Sequence, residues 1–563
     1  MIKKNNNDNS QKRHKMQVLG ILCLFGFCLL AHRPAVLVAS GSDDNAPVKT
    51  VQPKKKSKVY LLHSDLLKKN EKVKDAQIVI GNVVFRHDSM YMYCDSAYFF
   101  SKINSFEAFS NVRMEQGDTL FMYGDHLYYD GLSQIAQFRN NVRMENRNTT
   151  LLTDSLNYDR VYNIGYYFNG GTLMDDQNVL TSDWGEYSPS TKQSVFNYDV
   201  RLVNKDFTLT SDTLRYNTEN KVANIVGPSD IFSDDSHIYS EKGFYKTQEG
   251  MAELYDRSVL TNDGKQLTGD SLFYNSNTGL ATVVKNMVMT DTINKNMLMG
   301  DYGEYNEKTQ YAFVTEKALA IDYSQRDSLF LHADTLLLET FYIDTDSMQR
   351  EVRAFNKVRF YRQDVQGVSD SLVFSTVDSC LTMYSDPVLW NNTQQLVGEK
   401  IKIYMNDSTI DWAHIINQSL SVEYLKKDYY NQVSSKEMKS YFKDGEMYLT
   451  EIVGSVRVVY YPVDSDGTYI GMNTSETSKL DMYLKERKLD KMIMSPQSSG
   501  VLYPMTQIPE EKKRLDNFVW FDYLRPKDKN DIYIWIPKKV EDQIKKNVRG
   551  PVELPNQHLF EKK

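Results

Sequence analysis

Cysteine is scarce in this chain: four among 563 residues, with Cys23 and Cys28 both inside an N-terminal apolar run. Beyond that run only Cys94 and Cys380 remain. A disulfide-stapled scaffold is therefore excluded, and packing and backbone pairing must hold the fold. Proline is also low, at 14, and the nine histidines are scattered. No His-Glu-x-x-His, Walker loop, Gly-x-Gly-x-x-Gly or Gly-x-Ser-x-Gly occurs, so the common metalloprotease, nucleotide and hydrolase sites have no foothold. Past the N-terminus no apolar run has the length of a membrane helix. The net charge of −7 is spread along the chain. Nothing forms the clustered basic face that nucleic-acid binding needs. Paired carboxylates for glycan hydrolysis stay open as an alternative, because their separation is spatial rather than sequential. The acidic positions nevertheless track a repeat, which favours architecture over catalysis. The chain reads as a non-enzyme, with no catalytic set, cofactor or metal.

What is present is tyrosine, 38 of them, in a chain 41% hydrophobic. Tyr, Phe, Val, Thr and Ile suit a pleated, half-buried surface, so the bias is toward β structure. The N-terminus has a signal-peptide layout. "QKRHK" (Gln11–Lys15) is basic, "VLGILCLFGFCLLA" (Val18–Ala31) is apolar, and "VLVAS" (Val36–Ser40) offers small residues for cleavage. Neither "GILC" nor "FGFC" has the small residue that a lipidated cysteine requires. The expected divisions are a signal peptide over 1–40, a linker over 41–58, regular repeats over 59–338, degenerate repeats over 339–503 and a partly basic tail over 504–563. Within that tail "KKVEDQIKKNVR" (Lys538–Arg549) is a short basic stretch with helical potential.

The repeat shows first in two sentences, "LTSDTLRYNTENKVANIVG" (Leu209–Gly227) and "LTGDSLFYNSNTGLATVVK" (Leu267–Lys285). Acidic anchors recur at Asp95, Asp125, Asp154, Asp183, Asp212, Glu241 and Asp270, spaced 30 and then 29 residues apart. The series loosens through Asp301, Asp334, Asp370 and Glu399, with degenerate copies near Lys436 and Ser478. About thirteen units fit between Val59 and Tyr503. Two and four residues after the anchor the side chains are apolar, aromatic or small, as at Leu127 and Tyr129, Leu156 and Tyr158, Leu214 and Tyr216, Leu272 and Tyr274. Between them the class is mixed. That is strand periodicity with one face buried. A second apolar set, including Ile225 and Val283, lies thirteen after the anchor and marks the returning strand. The anchor itself is expected to open each strand as a turn residue, bonding nearby backbone N–H groups. One unit cannot bury its apolar face, so neighbours must stack.

These features resemble the OstA-like, LptA-type family of periplasmic lipopolysaccharide-transport proteins. The carrying residues are the signal layout, the Asp-x-Leu-x-Tyr units and the "NVRM" continuations at Asn111 and Asn141. The match is good from Val59 to about Arg326 and weak to Tyr503. The resemblance implies an all-β, elongated open β-jellyroll, two facing antiparallel sheets with an apolar groove between them. It also implies a periplasmic bridge that binds the lipid A acyl chains of lipopolysaccharide. Partners would be other bridge components joined by end-to-end sheet pairing, at the inner or outer membrane machinery. The expected groove residues are Leu127, Tyr129, Leu156, Tyr158, Leu214, Tyr216, Ile225, Leu272, Tyr274 and Val283. Arg113, Arg143 and Arg201, from the "VR" steps, are candidates for lipid phosphates at a groove rim. The same side chains would equally fill a closed β-solenoid with a structural or adhesive role.

Overall fold

The computed structural model describes residues 57–539, apart from 70–72, 74, 234–235, 344, 407–408, 444–445 and 487. The signal-like segment and all but the first two residues of Lys538–Arg549 lie outside the described residues. Within them the regular structure is β-strand up to Pro504, apart from turns, followed by three single turns of 3-10 helix at Glu510–Lys512, Asp522–Leu524 and Asp531–Tyr533. No helix among them is long and apolar enough to cross a membrane.

Consecutive strands pair antiparallel in chain order. Strand Ser105–Gln116 pairs along its length with Met90–Phe100 on one side and Leu120–Asp130 on the other. Midway the register slips, between Tyr93 and Ser96 and between Phe109 and Val112. At these slips two successive residues take left-handed φ, as at Ser110 and Asn111, Asn140 and Asn141, Lys285 and Asn286, Asn356 and Lys357. Asn tolerates that region better than most residues, and the extra residues crease the strand. Further on the crease becomes a break. Strand Thr208–Asn217 pairs with two separate strands, Val222–Ile225 and Ser229–Phe232. The crease folds one continuous ladder into two facing sheets. The half holding the Asp-x-Leu-x-Tyr residues is here the tyrosine sheet; the half holding the "VRM" residues is the arginine sheet. Their inner faces touch: the Phe85 ring of the arginine sheet stacks on Phe106 of the tyrosine sheet at 4.2 Å.

Asp95, Asp125, Asp154, Asp183, Asp212 and Asp301 prove to be mid-strand residues at the crease rather than turn residues, whereas Glu241, Asp270 and Asp334 lie in the break just before a strand. Asn111 donates to the Asp95 carboxylate at 2.7 Å, and Asn286 to Asp270 at 2.9 Å. Lys317 and Lys357 do the same for Asp301 and Asp334, at 2.6 and 3.0 Å. These four anchors thus tie their own crease to the next left-handed pair. From Gln77 to Asn217 each strand is continuous through the crease; beyond Asn217 most are divided into short strands, one in each sheet.

The inward rows follow from the register. On the arginine sheet the row runs Phe85, Met92, Met114, Met122, Met144 and Leu151. On the tyrosine sheet the row nearest the free edge alternates ring and small side chain: Tyr216, Ala223, Tyr245, Ala252, Tyr274, Ala281, Tyr305, Ala312. A small neighbour on each side gives every ring room to lie flat. One row further in, Gly185 serves the same end, since a Cβ there would sit 2.4 Å from the Tyr167 ring. Gly185→Ala should cost about 1–3 kcal/mol through overpacking. Hydrogen exchange in strands Ile164–Met174 and Val179–Tyr187 would register the loss; unchanged protection there would contradict this packing.

Candidate functional site

The edge opposite the crease is a seam bordered by two rows of turns, one from each sheet. Over the first half of the ladder these rims bond to each other. Tyr129 on one rim meets Nδ1 of His87 on the other at 2.6 Å. Burial, then Arg160, holds His87 below its ordinary pKa, while burial pushes the Tyr129 hydroxyl up to about 12. A neutral imidazole therefore accepts from a protonated phenol. Arg160 reaches back to Asp88 at 3.3 Å, Tyr158 donates to Gln116 at 3.2 Å, and Lys192 donates to Asn146. At the far end of the row Glu307 accepts from Ser236 at 2.7 Å and from Asn262 at 3.1 Å.

The densest latch centres on Asp175, whose side chain is fully buried. Its Oδ2 accepts from Tyr216 at 2.5 Å and pairs with the Lys221 ammonium at 2.9 Å. Asn178 bonds the Tyr216 oxygen at 2.9 Å and Thr247 at 3.3 Å. Burial alone would raise the Asp175 pKa, but the Tyr216 and Lys221 donors outweigh it and the net shift is downward. Burial and the adjacent Asp175 charge keep Tyr216 protonated.

Past Tyr305 and Ala312 the same row changes character. It continues as Leu338, Val352, Phe374, Leu381 and Ile403, side chains with no hydroxyl to bridge the seam. All five are partly exposed. On the arginine sheet Leu298, Ala320, Leu329, Leu331 and Leu396 are also only partly buried. Of the partly buried apolar side chains packed on the main core, all but Leu61 lie between Leu298 and Met494. A row of apolar side chains left partly open to solvent offers a surface that an apolar ligand could cover. It is the candidate site.

The groove residues expected from the sequence lie elsewhere on the ladder. Leu127, Tyr129, Leu156, Tyr158, Leu214, Tyr216, Ile225, Leu272, Tyr274 and Val283 do face inward, but every one is at most 4% exposed. They lie within the latched half, where opposing side chains already cover them. The rim arginines are displaced too. Arg113 and Arg143 stand on the outer face of the arginine sheet, 4.5 Å above the Tyr93 and Tyr123 rings and paired with Glu115 and Glu145. Arg201 is exposed on the same face. The "VR" step directly follows the crease, so its arginine sits at the edge opposite the rim. The lip could have been found from position four after the anchor, which is Tyr from Tyr129 to Tyr305 and then Leu338, Phe374 and Ile403.

Residues 56–212 match the family model described as OstA-like protein. Over that segment the chain is OstA-like. The OstA-like segment lies wholly within the latched half, and the apolar lip lies outside it. No curated protein matches the chain. Among solved structures, one match is LptH, the LptA homologous periplasmic component of the conserved lipopolysaccharide transport device from Pseudomonas aeruginosa. It is 12% identical, covering 25% of this chain and 82% of that one, with a TM-score of 0.14. A likeness of that size carries no inference about this chain.

Proposed function

We propose that this chain is a passive, periplasmic carrier for the acyl chains of a lipopolysaccharide-type lipid, held along the apolar lip between Leu298 and Met494. The carrying observation is the change along one row, from seam-sealing tyrosines to the partly exposed Leu338, Val352, Phe374, Leu381 and Ile403. Each methylene taken from water to such a surface gains roughly 0.8 kcal/mol, so even a half-covered acyl chain binds usefully. The OstA-like segment supports the lipid class, and the N-terminal signal layout supports export. The latched half then acts as a spacer. Taken alone, that half favours the rival reading of a filled structural β stack, since its inward side chains leave no room for a ligand.

The ends of the ladder support end-to-end assembly with other bridge components. Tyr60–His63 and Leu66–Lys69 at one end, and Lys488–Ser495 and Ser499–Pro504 at the other, each pair with a single neighbour among the described residues. Exposed Tyr60, Leu62, Leu66 and Leu67 at the first end, and Val501 and Leu502 at the second, accompany these free edges. Unpaired edge strands accept further strands.

The test is site-specific photocrosslinking in cells, followed by blotting for lipopolysaccharide. Adducts are expected with the probe at Leu381 or Ile403 and none at Tyr216. Folded, well-expressed protein with no adduct at Leu338, Leu381 or Ile403 would remove the lipid reading.

A further inference from the structure

The chain after Pro504 leaves the ladder but does not trail away. Residues 505–539 run back over the outer face of the arginine sheet. The strap begins on Met472 and Tyr461, against which Met505, Ile508 and Leu515 pack. It passes Arg457, which pairs with Asp516 at 2.7 Å, and ends with Tyr533 against His332, ring centroids 4.7 Å apart. Beneath it Val368, Val388, Trp390, Val397, Leu420 and Val422 form a second core with Phe521 and Leu524.

Three outward glutamines grip the strap. Gln366, Gln395 and Gln432 occupy one row, separated by Trp390 and Val422. Gln395 donates to the Val519 carbonyl at 2.9 Å and accepts from the Phe521 N–H at 2.7 Å. Gln432 donates to Lys513 at 2.7 Å and accepts from Leu515 at 2.9 Å. Gln366 accepts from Arg525 at 2.8 Å. Fully buried Arg359 donates to the Leu524 carbonyl at 2.9 Å. These glutamines stand four residues before the anchor positions Asp370, Glu399 and Lys436.

The strap and the latches occupy different stretches of the ladder. Among the described residues, rim bonds run from His87 to Glu307; strap contacts run from His332 to Met472. The strap therefore backs the stretch whose rim row has turned aliphatic. A sheet without seam bonds and with apolar side chains in water is drawn toward the opposite sheet, because closure buries those side chains. A segment bonded across many strands fixes their curvature and opposes that closure. We infer that residues 505–539 are a brace that keeps the apolar lip open and so sets its capacity for acyl chains. This deepens the lipid-carrier reading and rests on it for the ligand.

The test uses full-length protein carrying spin labels at exposed Asn392 and Asn406, one on each rim. Gln395→Ala with Gln432→Ala removes four strap bonds. Phe521→Asp, which places a carboxylate under the strap, enforces release where that pair does not. Exchange in strap peptides reports release, and exchange in Ser105–Gln116 reports that the latched half is intact. Release should shorten the rim-to-rim distance and weaken binding of a fluorescent dodecanoic acid by about tenfold, as a preorganised site is lost. A released strap with unchanged distance and binding overturns the brace. If unaltered protein fails to bind dodecanoic acid, the lipid reading falls, while the rim distance still decides the brace.

Discussion

Asp175→Ala is expected to cost about 3–5 kcal/mol, the range for leaving one partner of a buried ion pair uncompensated. The loss would fall on the seam. Lys221 would keep its buried ammonium without the carboxylate at 2.9 Å, and the Tyr216 hydroxyl would lose its acceptor at 2.5 Å. Removing both charges, with Lys221→Met added, should recover much of that cost, because an apolar pair of similar volume suits the site. A repeat ladder need not unfold in one step, so local exchange is a better readout than a single melting midpoint. Strands Gln193–Val203, Thr208–Asn217 and Val222–Ile225 should lose protection while Met90–Phe100 keeps it. The pH dependence has a definite sign. The folded-state pKa of Asp175 lies below its unfolded value. Its contribution is therefore complete above about 3.9, the ordinary carboxylate value, and is lost as pH falls through the folded value. The latch should be indifferent between pH 5 and 7 and weaken only in stronger acid. Equal protection in Asp175→Ala and unaltered protein would mean that the cluster does not hold the seam.

The sequence carried the fold further than the site. Parity around the anchors is enough to place Leu214 and Tyr216 inward and Arg215 outward, and the structure has the first two fully buried and the third exposed. The two-sheet architecture follows from that parity with the family resemblance. The crease was not legible, because a register slip is a relation between strands and leaves only two Asn-like residues in any one of them. The seam was hidden for a related reason. Nothing in the repeat marks Asp175, Lys221 or Asn178, and their partners lie about 40 residues away along the chain. Tyrosine also carries two roles. Counted as an inward apolar ring, Tyr129 or Tyr216 looks like groove lining; its hydroxyl makes it a seal. The strap reads as a tail in the sequence because the cadence stops at Pro504, although Phe521 and Ile532 are wholly buried.

Ile403→Asp is expected to lower acyl-chain affinity by about 100-fold or more while leaving the fold intact. The two effects separate because of where Ile403 lies. In the free protein it is partly exposed, so a carboxylate there keeps water contact and costs little. Under a bound acyl chain it would be stripped of water with no partner, a penalty of at least 2–3 kcal/mol. Leu214→Asp offers the contrast. Leu214 has no exposure, so its replacement buries a bare charge in the free protein and should unfold the latched half whether or not lipid binds. Ile493, on the outer face and 36% exposed, is the neutral control. Titration with a fluorescent dodecanoic acid, alongside exchange in Lys400–Asn406, distinguishes these cases. Binding lost at Ile403 and retained at Ile493, with exchange unchanged in both, assigns the ligand to the inner lip. Unaltered binding in Ile403→Asp would mean that acyl chains do not cover this row, and the aliphatic stretch from Leu338 to Ile403 would then need a different occupant.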